Sequence, residues 1–184
     1  MQDLSKFENS SFSRGASKIK EFLWLSLRGL FFDFSVMPWF KIRIAILRMF
    51  GAEVEGKVVI KPGAKITFPW KLKIADNSWI GEEVWLMNLD KISIGKNVVL
   101  SQRAYLCTGS HDWSRESFDL ITKPIIIEDG AWICANVFVG PGVTVGENCV
   151  VTAGSVVTKD LPANMICSGN PAVPVKERVF RDEV

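Results

Sequence analysis

The chain of 184 residues has a single histidine, His111, a single tyrosine, and almost no charge excess: 22 basic and 20 acidic residues leave a formal net charge of +2. Metal chemistry lacks its usual ligands, because one histidine and four cysteines without a CxxC pair do not supply a zinc set. Nucleic acid lacks its electrostatic footprint for the same reason of balance. Cys107, Cys134, Cys149 and Cys167 lie among aliphatic residues, where cysteine acts as a small buried hydrophobe, and this usage suits a reducing cytosol. The polar start, Gln2 to Ser17, lacks the basic-then-apolar order of a secretory signal. No long uninterrupted hydrophobic run occurs either. Arg28 and Asp33 break the stretch from Phe22 to Phe34, and a bilayer-spanning helix needs about 20 mostly apolar residues. Spanning is excluded on length; lying on a membrane surface is not.

What is present is a hydrophobic content of 48%, enough for one continuous core, arranged on a beat of six. From Ile127 an aliphatic residue returns at Ile133, Val139, Val145, Val151 and Val157. The same beat runs upstream in three phase-shifted blocks: Ile60, Ile66, Leu72; Ile74, Ile80, Leu86, Ile92; Ile94, Leu100, Leu106. Each change of phase implies a small insertion at a corner. Glycine often follows the aliphatic position, as at Gly81, Gly95, Gly140 and Gly146, and tight corners with backbone angles closed to other residues would explain it. A period of six fits neither an α-helix nor a long strand, so the chain makes short strands and turns: a parallel β-helix whose inward aliphatics stack coil upon coil.

Such a stack needs caps. Two apolar segments with helical character, Ile19 to Phe34 and Trp39 to Phe50, flank Met37-Pro38 and end at Gly51. In the second, Ile42, Ala45, Ile46 and Met49 are expected on the packed face and Lys41, Arg43 and Arg48 outside. A cap covering the first coil and a membrane-surface element both fit. The expected organisation is a helical cap over 1–50, a β-helix over 51–168 with a loop at 108–124, and a short C-terminal tail over 169–184. That loop is the one long interruption of the beat, and it carries the only histidine. Catalytic groups favour such loops on rigid scaffolds.

The hexad blocks, the Gly109-Ser-His-Asp112 loop, Thr158-Lys-Asp160 and Ser168-Gly-Asn-Pro-Ala172 resemble the hexapeptide-repeat acyltransferases. Ser11-Phe-Ser-Arg14, Pro69-Trp-Lys-Leu72, Ser101 to Asp112 and Phe118-Asp-Leu120 extend the likeness to colanic-acid-type exopolysaccharide acetyltransferases. The resemblance implies a left-handed β-helix, a homotrimer, and transfer of acetyl from acetyl-CoA as co-substrate, without a metal, to a sugar hydroxyl in surface polysaccharide biosynthesis. The handedness rests on the resemblance alone, since parallel crossovers are ordinarily right-handed. It also implies a cytoplasmic enzyme, at the inner face of the membrane if the N-terminal segment makes peripheral contact there.

By the same resemblance His111 is the catalytic base, a role suited to an imidazole that titrates near neutrality. Asn88 falls where related enzymes place an acceptor-contacting residue, commonly an aspartate, and Asp112, next to the base, is placed either to orient a ring or to contact substrate. On the donor side, Trp132 matches a residue lining the pantetheine tunnel, with packing at the rim as the alternative. Backbone N–H groups near Cys134 and Ala135 match those that face the thioester carbonyl. Ala153, Thr158 and Lys159 match the adenosine and phosphate end, where Lys159 would pair with phosphate or remain a surface lysine. Lys176 and Arg178 take the last basic positions, because Val173 and Pro174 interrupt the usual pattern. The scaffold equally serves xenobiotic or amino-sugar acceptors, and a non-enzymatic membrane-associated scaffold is the reading from a different class.

Overall fold

The computed structural model describes residues 2–10, 12–33 and 39–181; Ser11, the Met37-Pro38 break and the last three residues of the tail lie outside them. Short parallel strands wind into a three-sided solenoid. The first face stacks Glu53–Val54, Leu72–Ile74, Ile92–Ile94, Ile125–Ile127 and Thr144–Val145. The second begins at Val59–Ile60 and the third at Lys65–Ile66, and each continues in the same coil order. The parallel register is strict: Ile60 lies beside Ile80, and Ile80 beside Leu100. The aliphatic beat therefore becomes vertical ladders. Its inward members, from Ile60 and Ile66 through Val151 and Val157, are at most 1% exposed apart from Leu72.

A second inward position, two residues before each of these, was not anticipated. Ala64, Ser78, Val84, Val98, Ala104, Ala131, Val137 and Cys149 are as buried as the ladder itself. They are small or β-branched because they sit at the narrowing corners. Burial pushes the Cys149 thiol up to about 12, as expected of a packing cysteine.

The corner glycines owe their places to a different cause from the one expected. Left-handed backbone falls three residues after the aliphatic, at Asn77, Asn97, Asn136, Asn148 and Gly142. Asparagine tolerates that region better than most side chains. Gly81, one residue after Ile80, is instead needed for close approach: a Cβ there would meet the Leu100 carbonyl oxygen at 2.8 Å.

All three phase changes occur at one corner, between the third face and the first. Ile66 to Ile74 and Leu86 to Ile94 each take eight residues instead of six, and Leu106 to Ile127 takes in the long interruption. The insertions thus stack above one another and build a ridge along a single edge.

The N-terminal cap is helix α1 (Lys18–Arg28), a π-helical turn at Gly29–Asp33, and helix α2 (Phe40–Met49). Ser17 caps α1, its side chain accepting from the Lys20 N–H. Trp24 enters the end of the solenoid, 1% exposed, and its Nε1–H reaches the Thr67 carbonyl at 3.0 Å. The expected orientation of α2 is corrected at Arg43. This arginine is fully buried, while Ile42, Ala45 and Met49 lie outside. Its guanidinium donates to Phe31 O, in the π-helical turn of the cap, at 2.8 Å and to Ile60 O at 3.2 Å, a first-coil carbonyl that has no further coil above it. At the other end the chain does not trail off as a tail. Met165–Gly169 and Ala172–Glu177 form an antiparallel hairpin that closes the second face.

Arg43→Ala strands those carbonyls without donors and removes buried volume. We expect a loss of about 3 kcal/mol in urea unfolding, and no measurable loss for Arg103→Ala, whose ion pair with Glu83 is exposed.

Candidate active site

The long interruption leaves the solenoid after Cys107 and is itself ordered. Gly109–His111 pairs antiparallel with Leu120–Thr122, and a bond from the Lys123 N–H to Thr108 O, 3.0 Å, closes its base. Arg115 bridges the tip, 3.4 Å from Asp112 and 2.9 Å from Asp119. The Ser114 hydroxyl and N–H hold the Asp112 carboxyl below its ordinary range. Asp112 is therefore ionised at neutral pH, and part of its acceptor capacity is already committed within the hairpin.

His111 is gripped. Its ring stacks on Phe118 at 4.2 Å between centroids and 3° between planes, and Phe7 approaches at 5.8 Å. Nδ1 lies 2.9 Å from the Phe118 carbonyl oxygen. A carbonyl can only accept, so Nδ1 carries a proton, and in the neutral ring the lone pair is on Nε2. That is the tautomer and orientation a general base requires.

The segment before the cap, whose role went unrecognised in the sequence, forms one wall of the site. The Asp3 N–H donates to Glu116 O at 2.9 Å, and Lys6 pairs with the Glu116 carboxylate at 2.6 Å. Farther on, Trp70 Nε1–H donates to Arg14 O, and Lys71 Nζ donates to Ser13 O and Leu89 O. The joint appearance of Ser11-Phe-Ser-Arg14 and Pro69-Trp-Lys-Leu72 was the available signal, because one motif grips the other. Burial lowers the pKa of Lys71, with the Asp90 charge opposing. Between this arm, the ridge and the hairpin lies an open cleft of about 630 Å³. Asn9, Ser10 and Phe12 line one side, Lys71 and Asp90 the floor, and Asp112 and Asp119 the other.

Asn88 belongs to the ridge and not to the cleft surface. It is fully buried, its Oδ1 accepts from the N–H groups of Thr67 and Phe68, and its Nδ2 donates to Phe68 O at 2.6 Å. The acceptor contact expected of it is not available to a side chain so engaged.

The donor-side candidates do not meet within one chain. Trp132 projects from the second face, 44% exposed, its Nε1–H on Ser101 Oγ at 2.9 Å. Ala135 and Ala153 occupy successive turns of the corner after that face, linked by the Gly154 N–H to Ala135 O. The Ala135 N–H has no protein acceptor among the described residues, whereas the Cys134 N–H is spent on Val151 O at 3.0 Å. Of the two amides expected at a thioester, one remains. Thr158 and Lys159 are exposed at the next corner, the one from which the His111 hairpin leaves. Lys176 is exposed on the terminal hairpin, while Arg178 donates to Gly130 O and Asn148 O at the corner between the first and second faces. Among the described residues no three His, Cys, Asp or Glu side chains converge on a metal position.

A family model described as bacterial transferase hexapeptide (six repeats) matches residues 124–159. The chain is 46% identical over 179 residues to WcaF of Escherichia coli (strain K12), named for acetyl transfer in colanic acid biosynthesis, covering 97% of this chain and 98% of that one. It is 28% identical to the galactoside O-acetyltransferase of the same organism, over 77% of this chain and 71% of the relative. The solved hexapeptide-repeat acetyltransferase VCA0836 from Vibrio cholerae O1 biovar eltor, complexed with acetyl coenzyme A, superposes with a TM-score of 0.82 at 28% identity, covering 98% of this chain and all of that one. The chain belongs to the hexapeptide-repeat acetyltransferases, and its parallel β-solenoid is the fold of its solved neighbours among them. Within that family it is a homologue of the colanic acid biosynthesis acetyltransferase WcaF.

Asn88→Ala should cost about 2 kcal/mol of stability by leaving the buried Phe68 N–H unpaired, the Thr67 N–H keeping Leu86 O, with activity per folded molecule retained. A raised acceptor KM at unchanged stability would return Asn88 to the acceptor site.

Proposed function

We propose that the protein transfers the acetyl group of acetyl-CoA to a sugar hydroxyl in surface polysaccharide biosynthesis, with His111 as general base. The observation that carries this reading is the clamp on His111, which ties Nδ1 to the Phe118 carbonyl and so leaves Nε2 for an acceptor, in a hairpin that leaves the solenoid. As the acceptor oxygen attacks the thioester carbonyl carbon, its proton passes to Nε2. The C–S bond then breaks, and the departing CoA sulfur takes that proton back from the imidazolium. The Ala135 N–H is the fixed donor suited to the oxyanion that forms between these steps. The cleft offers hydroxyls, an amide and carboxylates along one aromatic side chain, Phe12, a lining suited to a polyhydroxylated acceptor.

The assembly we infer is a cyclic homotrimer with donor sites between copies. In one chain, the His111 hairpin and the Ala135 corner stand on different edges, so a second copy is needed to bring one to the other. Apolar and aromatic columns are available for that contact: Trp79 and Trp132 on the second face, and Trp85, Tyr105 and Phe138 on the third, where Trp85 stacks on Tyr105 at 4.7 Å. We infer a cytoplasmic reaction, which suits acetyl-CoA as the donor. Lys159 and Lys176, both exposed, are the cations placed to meet the phosphates of the donor, and Arg178 is the less available because of its carbonyl partners.

His111→Ala should lower kcat by about two to four orders of magnitude with acetyl-CoA affinity unchanged, read by thiol release and by calorimetry. Turnover equal to the parent in that variant rules the base out. Trp79→Arg combined with Phe138→Glu should turn a trimer mass into a monomer mass in light scattering and abolish turnover. A parent enzyme that is monomeric and fully active defeats the shared site.

A further inference from the structure

The cap explains why α1 is apolar toward the solenoid, but not why it is apolar on the opposite side. Trp24, Leu27 and Phe32 pack on the end of the stack. On the other face Ile19, Phe22, Leu23 and Leu30 are 74%, 68%, 50% and 63% exposed. Their spacing, three, four and eleven residues after Ile19, sets them in one stripe of a helical surface. Leu25 flanks the stripe, and Met49 and Ile42 of α2 are exposed as well. A helix apolar on both sides is stable in water only if something covers the second side.

Charge identifies the cover. Residues 18–50 contain six basic side chains and two acidic ones, although the whole chain is nearly neutral. Both acids are already held, Glu21 by Arg14 at 2.6 Å and Asp33 by Arg28 at 3.1 Å. Lys18 and Lys41 stand exposed beside the apolar residues. Two copies meeting on this face would bring like charge together, whereas an anionic surface offsets it. No helix among the described residues is long and apolar enough to cross a membrane, so α1 is suited to lie in the interface.

We propose that the outer face of the cap docks on an anionic lipid bilayer, with Phe22, Leu23 and Leu30 entering the headgroup boundary and Lys18 and Lys41 contacting lipid phosphates. Docking there puts the open cleft and the His111 hairpin beside a membrane. It is a property of the cap and holds whichever acceptor the enzyme uses.

Flotation of the full chain with vesicles tests this. Binding to phosphatidylglycerol-containing vesicles should exceed binding to pure phosphatidylcholine by at least about tenfold and weaken at high salt. Phe22→Ser/Leu23→Ser/Leu30→Ser should lose at least about tenfold in vesicle binding while melting temperature, oligomeric mass and turnover stay those of the parent. Lys18→Glu/Lys41→Glu should lose the preference for anionic lipid. Should the triple variant fail to fold, Phe22→Ser and Leu30→Ser singly should each weaken binding severalfold. No flotation of the parent, binding unaffected by these changes, or a changed oligomeric mass in the serine variants, which would mean that a second copy covers the stripe, each overturns the proposal.

Discussion

A coil of this solenoid can bury its aliphatic side chains only against the coils above and below it. Everything else in the structure follows from that dependence. It fixes a strict parallel register, because a slip of one residue would turn each inward isoleucine outward. It demands small residues at the corners, where the triangular section narrows. It also leaves the first coil with carbonyls and apolar surface that no coil covers, which is why a tryptophan and an arginine from two helices are inserted there.

The same dependence decides where chemistry can be placed. All three faces and two of the corners are occupied with stacking and cannot absorb extra residues. The third corner takes all of them, two in each of the early coils and a whole hairpin later. Because those insertions lie above one another, buried Asn88 and half-buried Lys71 can tie the early ones together into a firm base. The N-terminal arm then crosses to the hairpin and packs Phe7 near the ring that Phe118 already holds. Rigidity at His111 is thus assembled from three stretches of sequence far apart in the chain.

The ladder was legible because period and burial are the same information: Ile133, Val139 and Val145 announce themselves by spacing. The departure from the ladder was legible too, since the beat breaks between Leu106 and Ile127, where the structure has the hairpin that carries His111. Arg43 and Asn88 were not, for a common reason. Each is a polar group whose partners are backbone groups from distant stretches of the chain, brought to it only once neighbouring coils have formed, so no local pattern marks it. Pattern reading put Arg43 in water and Asn88 against a ligand; both are inside, serving the chain's own backbone. The glycine corners show a subtler limit. The residue type was read correctly, but at Gly81 its cause is a carbonyl in the next coil, 19 residues away, and not the local angle.

The bond between the Lys123 N–H and the Thr108 carbonyl has a consequence for how such a chain can change. It pins the two ends of the hairpin together, and Ile125 resumes beside Ile92 as though nothing had intervened. What happens beyond that clasp is invisible to the ladder. Residues between these points can be lengthened, shortened or exchanged for another hairpin without altering which isoleucine sits on which. The scaffold behaves as a holder with an interchangeable tool, and new specificities can be tried on it without risking the fold.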